Sequence, residues 1–204
     1  MSENKSASRQ SGVRASGIVR SVTVSGLLLA VGLVLPFLTG QLKNIGSMLL
    51  PMHIPVLLCG LICGWRYGAA VGFILPLFRN LLFSMPPMPG AISMAFEMGV
   101  YGLVAGAVYS ASRWKCVVSV YKSLIAAMLA GRLVWGAAQY LVLGIRGEGF
   151  TLEAFLAGAF LNAIPGIILQ LIFIPILMLA LGKTGAVRLQ KREDHALCSR
   201  SESK

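Results

Sequence analysis

Charged and polar residues interrupt several of the apolar stretches of this 204-residue chain. A charged side chain at bilayer depth is costly and usually faces a protein interior or a cavity. Arg binds a carboxylate through two parallel hydrogen bonds, so Arg79 and Arg132 against a single Glu97 favour a carboxylate-bearing ligand. The full set of polar candidates comprises His53, Arg79, Asn80, Glu97, Arg132, Gln139 and Asn162.

Each of these residues also has a structural interpretation. Arg79 near a span end can extend its guanidinium to the lipid headgroups. Glu97 can form a structural ion pair with Arg132, and Gln139 and Asn162 can tie helices together by hydrogen bonds. A binding role is favoured over a structural one because four different apolar stretches supply polar groups at similar depth.

The chain contains no H-E-x-x-H, G-x-S-x-G or Walker A sequence, so we predict no enzymatic activity and no catalytic residue. Any ATP-driven step would need partner ATPases, and we expect no cofactor in the chain itself. His53 follows Pro51 closely and is interpreted as structural or loop-orienting rather than as a metal ligand. Cys59 and Cys63 lack the second pair of a zinc site and are predicted to be small buried hydrophobic residues.

The composition identifies the class of protein. Hydrophobic residues make up 56% of the chain and charged residues 12%, with a mean hydropathy of +0.78. A soluble domain carries about 25% charged residues, so we predict an integral membrane protein. At about 20 residues per crossing, the apolar stretches predict an all-α fold with six transmembrane helices in one compact bundle. The predicted spans are residues 18–38, 48–64, 68–83, 91–111, 119–143 and 154–181.

Basic residues indicate the orientation of the bundle. Residues 1–17 are predicted to be a disordered basic tail, 18–182 the membrane domain and 183–204 a second basic tail. With six spans, Lys43 and Arg146 are the only basic loop residues on the side opposite the tails. Cytoplasmic loops are enriched in Lys and Arg, so both termini are predicted to be cytoplasmic. This placement accounts for the net charge of +11 without a nucleic-acid partner.

The polar residues concentrate in the outer half of the predicted bundle. At ~1.5 Å per residue, Glu97 lies roughly 9 Å below the outer face, and only Gln170 falls clearly in the inner half. This pattern favours a pocket open to the outside over a continuous pore, which needs polar lining at all depths. The predicted ligand contacts, with two methionines in the covering stretch 84–90, are Arg79, Asn80, Met85, Met88, Glu97, Arg132, Gln139 and Asn162.

The chain resembles a known family over about residues 21–181. Its size, predicted spans and the run LLPMHIPVLLCGLICGWRYGAAVGFILPLFRNLLFSMPPMPGAISMAFEMGVYGL at 49–103 resemble the substrate-binding S component of an energy-coupling factor (ECF) vitamin transporter. The resemblance is to the broad group that includes pantothenate- and folate-type members. It implies capture of a vitamin or related precursor at the outer face of a bacterial cytoplasmic membrane.

The resemblance also implies partners. In the family, a transmembrane coupling protein and two ABC-type ATPases energise uptake, and an A-x-x-x-A motif on the first helix contacts the coupling protein. Here that motif falls on Gly26 and Ala30, with Gly in place of the first Ala. The family's substrate lies near the outer face, among the later helices and the loops that correspond to residues 41–46, 84–90 and 144–153.

Two other functions fit the same residues. The chain could be a stand-alone proton-coupled secondary carrier in which Glu97 relays protons, or a non-transporting scaffold whose polar residues only lock the helices. Uptake driven by a pH gradient in vesicles without an ATPase would favour the carrier. Failure to bind any of a broad panel of metabolites would favour the scaffold.

Overall fold

The computed structural model describes five stretches of the chain, residues 2–39, 51–84, 86–112, 117–145 and 164–183. Within these stretches the chain forms helices and no strand, as the composition predicts. The helices are α1 Ser2–Thr39, α2 His53–Cys63, α3 Trp65–Phe83, α4 Met88–Ala111, α5 Val117–Ile145 and α6 Ile164–Lys183.

Four of these helices are long and apolar enough to cross a membrane, which makes the chain a multi-pass membrane protein. The crossing segments lie in α1, α4, α5 and α6, at Gly17–Phe37, Gly90–Ala111, Val117–Leu141 and Gly166–Lys183. The six-span count is not confirmed, because α2 has only 11 residues and α3 contains Arg66, Arg79 and Asn80. At ~1.5 Å per residue, α2 covers about half of a bilayer core. The cytoplasmic placement of both termini stays a prediction.

Several predicted boundaries differ from the observed ones. The turn between α2 and α3 is Gly64 alone, with φ of 98°, a backbone conformation that glycine adopts without strain. Trp65 therefore opens α3, three residues before the predicted start of the span at residue 68. Proline usually breaks or kinks a helix, yet α3 continues through Pro76 and buries it. The first helix, α1, begins at Ser2, and the division of the chain into two tails and a membrane domain stays a prediction.

Glycines bring α2, α3 and α4 into backbone contact along a surface that we call the glycine seam (Gly60, Gly68, Gly72, Gly102 and Gly106). A Cβ atom at Gly106 would lie 2.5 Å from the backbone nitrogen of Trp65, and one at Gly60 would lie 2.5 Å from the carbonyl oxygen of Gly102. Small residues allow such close approach of helices in lipid, where no hydrophobic effect drives helix association. The seam fixes the relative position of the three helices.

The other helices pack around this centre. On α1, Gly32 faces Leu75 of α3, and Ser25 accepts a hydrogen bond from the buried Cys59 of α2 at 3.4 Å. On the opposite side, α5 and α6 contribute Leu124 and Ile174 to the main apolar core. Outside the glycine seam, the helices thus contact one another through side chains rather than through their backbones.

Candidate functional site

The centre of the candidate site is a buried cluster that we call the polar cluster (His53, Glu97 and Arg132). Glu97, on α4, has only 2% of its side chain exposed. Its Oε1 atom lies 3.1 Å from Nη1 of Arg132 on α5 and 3.8 Å from Nε2 of His53 at the start of α2. Three helices therefore bring together two opposite charges and an imidazole in the interior of the bundle.

The spacing of residues on α4 explains how the cluster forms. Ser93, Glu97 and Tyr101 follow one another at intervals of four, so they lie on one face of the helix, and all three are buried. The ring of Tyr101 meets His53 edge to face, with centroids 5.1 Å apart. Tyr101 thus completes the wall of the cluster on the side of α2.

A matching face exists on α5. Arg132 and Gln139 are seven residues apart, which is two helical turns, so they share a face. Gln139 Oε1 accepts a hydrogen bond of 2.8 Å from Ser93, one turn along α4 from the contact between Glu97 and Arg132. The two helices run antiparallel and are joined by two successive polar contacts.

Hydrogen bonding in the polar cluster is incomplete among the described residues. Arg132 Nε and Nη2 have no hydrogen-bond partner there, nor does either ring nitrogen of His53. Glu97 Oε1 also lacks an aligned hydrogen bond, so its short distance to Arg132 is a charge contact only. Buried polar groups of native proteins are nearly always hydrogen-bonded, and each exception calls for an explanation such as a missing ligand.

Two predicted contacts, Arg79 and Asn80, lie elsewhere. Arg79 Nη1 is 3.5 Å from the carbonyl oxygen of Leu33, and its guanidinium lies over the ring of Phe37 at 5.4 Å. Asn80 donates a hydrogen bond of 2.5 Å to the carbonyl oxygen of Pro86. The first residue ties α3 to α1 and the second ties α3 to the connection with α4. Their observed contacts do not involve the polar cluster.

The remaining predicted residues have mixed outcomes. Met88 is 58% exposed at the start of α4. Outside the described residues lie Met85, Asn162, the predicted loop 41–46 and all but the first two residues of the predicted loop 144–153. Gly26 and Ala30, the predicted partner contacts, are both exposed on α1, and no atom would lie within 4 Å of a Cβ at Gly26. The part of the chain that the structure describes contains no cluster of three metal-ligating residues.

Sequence reasoning missed two members of the site, His53 as a neighbour of Glu97 and Ser93 as the partner of Gln139. The interval of four between Ser93, Glu97 and Tyr101 was a usable signal for the α4 face. No comparable signal existed for His53, because its side-chain direction depends on how α2 is rotated in the bundle.

Comparison with protein families gives one match. The family model described as "ECF transporter, substrate-specific component" matches residues 20–178, which include the polar cluster and the glycine seam. No curated protein and no solved structure matches the chain.

Proposed function

Because the chain belongs to the family of ECF transporter substrate-specific components, we propose that it captures a small vitamin or related precursor for ATP-driven uptake. The observation that carries the proposal is the polar cluster, whose buried nitrogen atoms lack hydrogen-bond partners among the described residues. A bound polar molecule would supply those partners, and the family is one of transporter components rather than enzymes. We propose the outer face of a bacterial cytoplasmic membrane as the place of capture.

The orientation follows from the positions of the cluster and of the basic residues. His53 begins α2, and the polar contacts of α4 lie toward its start, so the cluster is displaced toward the ends near Ser84 and Met88. Under the six-span topology with cytoplasmic termini, these ends face outward. The basic residues of the two tails support that topology.

The proposed partners are a transmembrane coupling protein and two ABC-type ATPases that use the ATP. The exposed face of α1 around Gly26 and Ala30 supports a helix contact there, because the small side chains leave room for close approach. Gly26 is exposed and a Cβ there would meet no atom within 4 Å, so the fold should tolerate a larger side chain.

The test combines two measurements on protein purified in detergent. Mass spectrometry of released small molecules should find a stoichiometric vitamin-like compound, and co-expression with a coupling protein and ATPases should yield a complex. The variant Gly26→Leu/Ala30→Leu should keep the compound but lose the complex. The exposed Val19→Leu serves as the matched control on the same helix. Absence of both a compound and a complex would contradict the proposal.

A second candidate function is a stand-alone proton-coupled carrier, favoured by the 3.8 Å distance between His53 Nε2 and Glu97 Oε1. Buried carboxylates and imidazoles form proton relays in transporters. In vesicles that contain this chain and no ATPase, uptake of the released compound driven by a pH gradient would support the carrier. Uptake that requires the ATPases would support the first function.

A further inference from the structure

The guanidinium of Arg132 is held at one of its nitrogen atoms only. Nη1 lies 3.1 Å from Glu97 Oε1, whereas Nε and Nη2 have no hydrogen-bond partner among the described residues. Only 7% of the side chain is exposed, so water access is small. A buried donor without a partner costs free energy, and the cost is greater for a charged group. The uncontacted edge is therefore a place where a ligand gains binding energy.

The shape of that edge specifies the ligand group. The Nε and Nη2 nitrogens lie side by side on the planar guanidinium, and their N–H bonds point the same way. This geometry matches the two oxygen atoms of a carboxylate, which accepts two parallel hydrogen bonds. We propose that the Nε–Nη2 edge of Arg132, with His53 beside it, is a subsite for a carboxylate of the transported molecule. The inference rests on the proposed function and assigns its substrate class.

Charge limits the ligand to a monoanion. Arg132 and Glu97 have no net charge together, so a bound anion needs another positive group in this poorly solvated interior. His53 is next to Glu97 and can supply a single positive charge in its imidazolium form. Tyr101, the fourth titratable group at the cluster, cannot become positive. A phosphate monoester, with a charge of about −1.5 to −2, would stay uncompensated.

His53 provides the second contact of the subsite. Its side chain is 1% exposed, and its ring is held edge to face by Tyr101. Both of its nitrogens lack hydrogen-bond partners among the described residues, so either could donate to a ligand oxygen. His53 and Arg132 share Glu97 as a neighbour, so the cluster offers donors from two different helices.

The test uses benzoate as the probe, with benzamide and phenylphosphonate as its uncharged and more highly charged counterparts. Thermal unfolding is followed in a neutral detergent, so that no anionic lipid occupies the subsite. Benzoate at millimolar concentration should raise the unfolding temperature more than either counterpart does. Equal shifts with benzamide, or no shift with benzoate, would overturn the inference. Full competition by phosphatidylserine would assign the site to a lipid headgroup and would overturn it as well.

Variants locate the effect on Arg132. Arg132→Gln should weaken benzoate binding by about 10- to 150-fold, as expected for loss of hydrogen bonds to a charged group. Arg66→Gln, which removes an exposed arginine stacked on Trp65, should leave binding unchanged. If Arg132→Gln does not fold, the uncharged variant Glu97→Gln/Arg132→Gln replaces it. Unchanged benzoate affinity in the folded variant would refute the assignment.

The outcome for the inference can be separated from that for the proposed function. If the purified protein releases a compound without an acid group, the carboxylate assignment fails and the capture function stands. If it releases nothing and forms no complex with a coupling protein, the function itself fails. A released monocarboxylate that is lost from Arg132→Gln would support both.

Discussion

The glycine seam and the polar cluster share α2 and α4, yet they are built in opposite ways. In the seam, backbone meets backbone so closely that even a Cβ atom has no space. In the cluster, buried nitrogen atoms have no hydrogen-bond partners among the described residues. One region is thus completed by the chain itself, whereas the other keeps hydrogen-bonding groups without partners among the described residues. This difference supports the proposal that a ligand binds at the cluster rather than at the seam.

The seam also explains why polar groups of the cluster have no hydrogen-bond partners among the described residues. The close glycine contacts limit movement of α2 relative to α3 and α4, and they leave His53 Nε2 at 3.8 Å from Glu97 Oε1. On the other side, the ring of Tyr101 lies against Gly131, where a Cβ would be 3.0 Å away. Packing of that ring on Gly131 limits how closely α5 approaches α4 next to Arg132. Rigid packing therefore holds the polar groups at distances that leave donors unpaired.

The largest effect is expected in the seam. In Gly102→Val the new side chain would overlap the carbonyl oxygen of Gly68, so the helices must separate. We expect a loss of about 3 kcal/mol or more in the free energy of unfolding. The measurement is an unfolding titration of the purified protein in mixed detergent. Gly17→Ala is the control, since nothing lies within 4 Å there and alanine favours the helix. Equal stability of both variants would show that the seam is not tightly packed.

In the polar cluster a single substitution has an effect of similar size, but a second substitution is expected to reverse most of it. Glu97→Met or Arg132→Met leaves an uncompensated buried charge, which typically costs about 3–5 kcal/mol. The double variant removes both charges and should regain most of that stability, within about 1 kcal/mol of the wild type. The purified double variant should nevertheless release no ligand. Retention of the ligand by the stable double variant would mean that the ion pair is only structural.

The sequence predicted the seam better than it predicted the site. Small residues in an apolar helix indicate close helix packing, and the structure shows such packing at Gly68, Gly72, Gly102 and Gly106. Gly99 was expected to join them, but a Cβ there would meet only ordinary contacts, the nearest at 3.7 Å. The helical class and the family were likewise predicted correctly.

The site was harder because polar residues work only in particular directions. Glu97 and Arg132 were weighed as a pair and do meet, whereas Arg79 turns to α1 and away from both. Whether an arginine reaches a shared pocket depends on how its helix is rotated about its axis. The length of an apolar stretch in the sequence does not reveal that rotation. The short α2 escaped prediction for a related reason, since the apolar run 48–64 continues across its start.

The smallest effect is expected one turn from the cluster, where Ser93 donates a hydrogen bond to Gln139. This pair resembles the seam in being completed by the chain itself, although it lies beside the open cluster. Ser93→Ala should cost about 1 kcal/mol of unfolding free energy, the usual net value of one hydrogen bond. It should change ligand affinity less than Arg132→Gln does, because the Nε–Nη2 edge is untouched. Unfolding titration and benzoate binding on the same preparation measure both quantities. A loss of affinity as large as that of Arg132→Gln would place Gln139 inside the ligand site. The site would then extend one helical turn beyond the polar cluster.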